Sequence, residues 1–364
     1  MGLTPQQRVT QAFVDAHFWH GRRVLVTGHT GFKGAWLSLW LQSLGANVSG
    51  LSLGVPTTPA LYELARVGGG MSAEVEADIR DAAAVDDAIC QLNPEVIFHM
   101  AAQPLVRLSF EQPRETFDTN VMGTVHVLDA ARRAAAVRAI VNVTSDKCYE
   151  NNNWEWGYRE NEPMGGHDPY SSSKGAAELV TSAYRRSFFS DPASPRLASV
   201  RAGNVIGGGD WGAERLVADL SRAALAGETL RIRSPHSVRP WQHVLNPLSG
   251  YLILAQRLWD SHEVAAGWNF GPGDADTISV GELVERIRRL WGDRPSWTHD
   301  PGPHPHEAHY LKLDSSRARE LLGWRPAVTL TAALQSIVDW YSAYVAGEDM
   351  RAVTLTQIAA LLAR

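Results

Sequence analysis

Three short stretches hold the residues whose types and spacing could do chemistry. In HDPYSSSKGAAELV, Tyr170 and Lys174 stand four residues apart. Asp168 is a good helix N-cap and Pro169 a good first helical residue, so phenol and ammonium should lie one turn apart on one face. A phenol ordinarily titrates near ~10 and a neighbouring ammonium lowers that, so Tyr170 is expected to accept a proton from a hydroxyl near neutrality. In NVTSDKCYE, Asn142 to Glu150, an apolar run ends in Ser145, Asp146, Lys147, Cys148 and Tyr149. An acid beside an amine suits a reaction that moves two protons, whereas the bland alternative is an ion pair at a strand end.

The third stretch is TGHTGFKG, with Gly28, Gly31 and Gly34 in GxxGxxG spacing, followed by AWLSLWLQSLG. Glycines let the backbone turn tightly and approach a pyrophosphate, and a helix starting near Gly34 offers its N-terminal N–H groups to the anion. Trp36, Leu37, Trp40, Leu41 and Leu44 keep helical spacing and read as core. A dinucleotide reader usually carries an acid ~20 residues past the glycines for the adenosine ribose. The corresponding VSGLSLGVPTTPALY holds no acid and no Arg or Lys, so this rule leaves NAD and NADP open. Lys33, inside the turn, could reach a phosphate or ribose.

These residues need a frame to bring them together, and the surrounding pattern supplies one. From about residue 22, short apolar runs alternate with helical patterns, as in a parallel sheet with crossover helices. The expected strands are 23–26, 47–51, 74–77, 95–100, 139–143, 197–200 and 267–270. Helices are expected near 34–44, 81–92, 114–135 and 169–187. This is an α/β plan, a doubly wound parallel (Rossmann) sheet, in which ligands sit outside the carboxyl ends of the strands. After about residue 202 the rhythm breaks into Gly-, Pro- and Trp-rich stretches. The expected division is a dinucleotide-binding domain over 18–201 with a returning strand near 240–272. A smaller mixed substrate-binding lobe then comprises 202–239 and 273–345.

At 364 residues, with 45% hydrophobic and 20% charged residues, the chain has an ordinary globular composition. Its net charge of −5 has no basic block behind it, so no nucleic acid or anionic membrane is expected as a partner. Two cysteines, Cys90 and Cys148, are too few for a disulfide framework and fit a reducing cytoplasm. The N-terminal stretch has no continuous apolar segment of the signal-peptide kind, and no run is long enough to span a bilayer.

Taken together, the glycine turn, the Ser/Thr-bearing strand end and YxxxK resemble the extended short-chain dehydrogenase/reductase superfamily. Within it, VTGHTGFKGAWLSLWL, FHMAAQPLVRLS, TNVMGTVH, TSDKCY, WGYRENEPMGG, SVRAGNVIGGGDW, RPWQHVLNPLSGY, GWNFGP and HPHEAHYLKLD are similar to the CDP-glucose 4,6-dehydratases, over roughly residues 18–330. The resemblance implies a homodimeric or homotetrameric lyase of deoxysugar biosynthesis that uses NAD as a borrowed oxidant on CDP-glucose. Hydride would pass from C4 to NAD as Tyr170 takes the C4 hydroxyl proton. Loss of the C5 proton and the C6 hydroxyl, then return of the hydride to C6, would give CDP-4-dehydro-6-deoxy-D-glucose.

The same resemblance implies site residues. Ser145, Asp146, Lys147, Tyr170 and Lys174 would be catalytic, with Asp146 the acid for the departing hydroxyl. Thr144 is the second choice for the Ser145 position. Where dTDP-glucose dehydratases carry a second carboxylate, this chain has Lys147, either the C5 base or a stabiliser of the enolate. Gly28, Thr30, Gly31, Phe32, Lys33 and Gly34 would cradle the cofactor. Asp78 and Ile79 would hold its adenine, unless Asp78 merely caps the next helix, and Ala101, Ala102 and Gln103 would line the fourth strand end. Gln103, Asn204, Arg215, Arg239 and His309 would contact the sugar nucleotide, the two guanidiniums suiting two phosphates. HPHEAHY misses HExxH spacing by one residue, so no metal is expected. A nucleotide-sugar 4-epimerase would need no acid and base at C6 and C5, and a non-catalytic dinucleotide-binding regulator no activated phenol.

Overall fold

The structure, a computed structural model, describes residues 13–302 and 310–362. His309 therefore lies outside the described residues, as do His304 and His306. Strands β1 (Arg23–Thr27), β2 (Asn47–Ser52), β3 (Ala73–Glu76), β4 (Val96–His99), β5 (Ala139–Val143) and β6 (Arg196–Arg201) join Gly267–Asn269 in one sheet. Its order is Gly267–Asn269, β6, β5, β4, β1, β2, β3, and every pairing is parallel. All seven expected strands are present, each within a residue or two of its expected ends.

Side-chain alternation explains the layering. Val24, Val26, Phe98, Val141 and Val200 face one core, while Leu25, Ile97, Ile140 and Leu197 face the other. This follows from the period-2 geometry of a strand buried on both sides. The first core is capped by the Phe32–Ser43 and Leu245–Asp260 helices, the second by Ala82–Leu92 and Gly123–Arg133. Strand β3, at the edge, alternates half-buried and exposed residues. Trp36, Leu37, Trp40 and Leu41 are fully buried, as their helical spacing predicts.

The helix expected near 114–135 is broken. Pro113–Phe117 and Gly123–Arg133 are α-helical, but Asp118–Met122 between them is a π turn. Asn120, on that turn, spends its side chain outside the helix: Nδ2 donates to the Gln103 carbonyl at 3.1 Å and to Ser173 Oγ at 2.9 Å. Periodicity cannot reveal such a turn, because tertiary hydrogen bonds stabilise it.

Beyond β6 the chain forms two small sheets among the described residues. Asn204–Ile206, Val238–His243 and Thr277–Ser279 make one, and Leu230–Ile232 with Trp297–His299 the other. They stand over the carboxyl edge of the large sheet and close a cleft against it.

Candidate active site

One cleft of about 970 Å³ opens along that edge. Glycine geometry makes its first wall. Gly28 has φ +73°, and a Cβ there would stand 2.8 Å from the Ala101 nitrogen. A Cβ on Gly34 would lie 2.1 Å from the Gly28 carbonyl oxygen. The first glycine thus lets the turn meet the end of β4, and the third seats the helix on the turn. Gly31 is the helix N-cap and has no side chain to satisfy the first-turn N–H groups, which leaves that turn suited to an anion.

The second wall comes from β5 and the Pro169–Ser187 helix. Asp168 caps that helix by accepting from Ser171 N at 2.9 Å, and Pro169 takes the first turn. Tyr170 and Lys174 consequently face the cleft together, both buried. Past β5 the chain makes one 3₁₀ turn, Asp146–Cys148, capped by Ser145, whose Oγ accepts from Lys147 N at 3.2 Å. Ser145 Oγ donates to Asp146 Oδ1 at 3.0 Å and also meets the Tyr170 phenol. Thr144 instead turns behind the strand to Glu178 Oε1 at 2.5 Å. The geometry therefore favours Ser145 over Thr144 beside the phenol.

Electrostatics depart from the expectation for Tyr170. Burial pushes the phenol up to about 12; the Ser145 hydrogen bond and the Arg215 charge oppose it without prevailing. Burial also pulls Lys174 down to about 8, partly offset by Cys148 and Glu178. One turn of helix supplies adjacency but not the dielectric, and here desolvation of both partners wins. Asp146 is raised by burial against the charges of Lys147 and Arg239, which suits a proton donor.

The remaining expected residues divide. Thr30, Phe32, Lys33, Ile79, Ala101, Ala102 and Asn204 line the same cleft. Asp78 lines it too, held by Arg80 Nε at 2.8 Å; the helix cap beside it is Asp81, which accepts from Ala83 N and Ala84 N. Gln103 faces the cleft, but its amide is spent on the loop, donating to the Leu105 carbonyl at 3.0 Å and to Thr116 Oγ1 at 2.9 Å. Arg215 pairs with Asp210 at 2.9 Å, and Arg239 donates to the Val238 carbonyl. Both guanidiniums still border the cleft. Cys148 does not: it is fully buried behind the turn against Tyr149, Tyr158 and Leu313.

Two features escaped the sequence reading. Arg107 and Glu214 meet at 3.3 Å, joining the Val106–Glu111 helix to the loop before Arg215 along the cleft. Behind the site, Glu178 and Arg201 form an ion pair with both side chains only 4% exposed. Glu178 stands one helical turn past Lys174, so its position on the helix face was legible, but its partner comes from another strand.

The GDP-mannose 4,6 dehydratase family profile matches residues 25–337. A CDP-glucose 4,6-dehydratase from Salmonella typhimurium (strain LT2) is 56% identical over 93% of this chain and 95% of its own length. Among solved structures, a UDP-glucose 4-epimerase from Thermus thermophilus in complex with NAD is 25% identical, with a TM-score of 0.74 over 88% of this chain and 98% of that one. A dTDP-glucose 4,6-dehydratase from Streptomyces venezuelae with NAD bound, 24% identical, shares the fold at a TM-score of 0.77 over 90% of this chain and 99% of that one. With the Tyr170–Lys174 pair and the glycine turn on opposite walls of one cleft, this chain belongs to the nucleotide-sugar 4,6-dehydratase family.

Proposed function

We propose that this chain is an NAD-dependent lyase that converts CDP-glucose to CDP-4-dehydro-6-deoxy-D-glucose. The observation that carries the reading is the 56% identity to a CDP-glucose 4,6-dehydratase, joined to a cleft that gathers acid, amine and phenol at one end. The glycine turn fits a dinucleotide: Gly28 and Gly34, where a Cβ would strike the Ala101 backbone and the Gly28 carbonyl, let the turn close tightly against the end of β4, and Gly31 faces the cleft. When bound there, NAD would supply a hydride acceptor, and the positive charge of its ring would favour the Tyr170 phenolate against the burial that raises it.

Around that group, this chain's residues orient the sugar and move its protons. Tyr170 holds the C4 hydroxyl and passes its proton, with Ser145 sharing the hydrogen bond. Lys174 adds positive charge beneath them. Asp146, whose carboxyl burial raises against the Lys147 charge, gives a proton to the C6 hydroxyl as it leaves. Lys147 faces the same space and acts on C5, as base or as stabiliser of the enolate. Arg215 and Arg239, which both border the cleft, hold the diphosphate.

The finer assignments rest on the same reading. The product serves deoxysugar assembly in the cytoplasm, and the chain works as a homodimer or homotetramer. Exposed Phe110, Phe117 and Leu179, on three helices packed together, supply apolar surface for such an assembly. No helix among the described residues is long and apolar enough to cross a membrane.

Substrate deuterated at C4 decides the chemistry. A 4,6-dehydratase delivers that deuterium to C6 of the product, read by proton NMR. Retention of deuterium at C4 with inverted configuration would mark an epimerase, and label lost to free NADH a simple dehydrogenase.

A further inference from the structure

Lys33 belongs to the glycine turn, where a phosphate contact is the obvious reading, but its amine leaves the turn. Nζ donates to Tyr251 Oη at 3.2 Å and lies 5.3 Å from the ring centroid. Tyr251 is fully buried in the Leu245–Asp260 helix, which packs behind β5 and β6. The charges acting on the amine are Lys174 and Asp146, both at the catalytic end of the cleft, and Arg215 on its border. Its own charge is therefore placed where the sugar reacts rather than at the helix N-terminus.

We propose that Lys33 sets the redox balance of the bound nicotinamide: its ammonium, held on the cleft floor by Tyr251, disfavours the oxidised, positively charged ring relative to the neutral reduced one. This rests on the dehydratase reading above. In the oxidation step the C4–H bond breaks with its electron pair going to the ring, the hydroxyl proton goes to Tyr170 in its phenolate form, and C4 becomes a carbonyl. A cation beside the ring favours that step and opposes the later return of hydride to C6. A permanent charge would therefore trap the reduced state. Burial, with Lys174 and Arg215 and against Asp146, holds Lys33 at about 7, so both charge states are populated near neutrality.

The test needs no turnover. Dissociation constants of NAD and NADH are measured by calorimetry without sugar, at pH 6 and pH 7.5, for the wild type, Lys33→Met and Lys33→Arg. Lys174, pulled down only to about 8, keeps most of its charge in this window. The wild-type ratio Kd(NAD)/Kd(NADH) should fall from pH 6 to pH 7.5. Lys33→Met should lower it roughly tenfold at pH 6, as loss of a nearby unit charge implies, and flatten its pH dependence. Lys33→Arg should keep it high at both. Equal weakening of both nucleotides by Lys33→Met would instead make Lys33 a phosphate ligand and overturn the proposal; so would an unchanged ratio. If Lys33→Met fails to fold, the wild type decides alone, since a pH-independent ratio contradicts the proposal. A wild type that binds neither nucleotide would sink the dehydratase reading, and the Lys33 assignment with it.

Discussion

Replacing Glu178 by Gln should separate the scaffold of this site from its chemistry. Glu178 Oε1 accepts from Thr144 Oγ1 and from Arg201 Nε at 2.9 Å; Oε2 accepts from Ser199 Oγ and Arg201 Nη2, each at 2.7 Å. The carboxylate thus ties the end of β5, strand β6 and the helix bearing Tyr170 and Lys174 into one unit. Burial pushes its pKa up, but the Arg201 charge and the hydrogen bonds from Arg201, Thr144 and Ser199 outweigh that and hold it low. Gln would turn an N–H donor toward Ser199 or Arg201 and leave a guanidinium buried without its counter-charge. Breaking such a pair costs about 3–5 kcal/mol. At ~2.1 cal/mol/K per residue over 364 residues, the melting temperature should fall by about 4–7 °C. Calorimetry and urea titration measure it, and the Glu178→Met/Arg201→Met double variant should recover most of the loss. Because the folded pKa is depressed, the contribution is present above the unfolded carboxylate value of ~4.3 and lost as pH falls through the folded value. The gap between wild type and Glu178→Gln should therefore close in acid. A loss below about 1 kcal/mol at pH 7, or a gap unchanged at pH 3, would refute the anchoring role.

Two further variants address the reaction. Tyr170→Phe should abolish reduction of bound NAD by CDP-glucose, followed at 340 nm, while CDP binding by calorimetry stays within about twofold; lost CDP binding would make Tyr170 structural. Lys147→Ala should still reduce NAD when substrate is added but stall before elimination, so that NADH and the 4-ketoglucose nucleotide accumulate together. Failure to reduce NAD despite normal substrate binding would move Lys147 to the oxidation step.

The alternating apolar runs were enough to specify the large sheet, because strands buried on both faces leave an unbroken signal and each crossover helix carries its own periodicity. The glycine turn was equally legible: Gly28 needs a left-handed backbone, and Gly34 touches its neighbour in the same eight residues. The cap of the Pro169–Ser187 helix, and so the shared face of Tyr170 and Lys174, is likewise local. Other features depended on partners far away in sequence. The π turn at Asn120 exists because Gln103 and Ser173 bond to it, and Glu178 finds Arg201 only once β6 lies beside β5. The titration of Tyr170 and Lys174 followed burial rather than spacing, since desolvation is a property of everything packed around them. The direction of Lys33 was fixed by Tyr251, 218 residues further on. Residue types and spacing determine which groups reach the end of a strand; the low-dielectric surroundings assembled by the whole fold decide what charge those groups carry there.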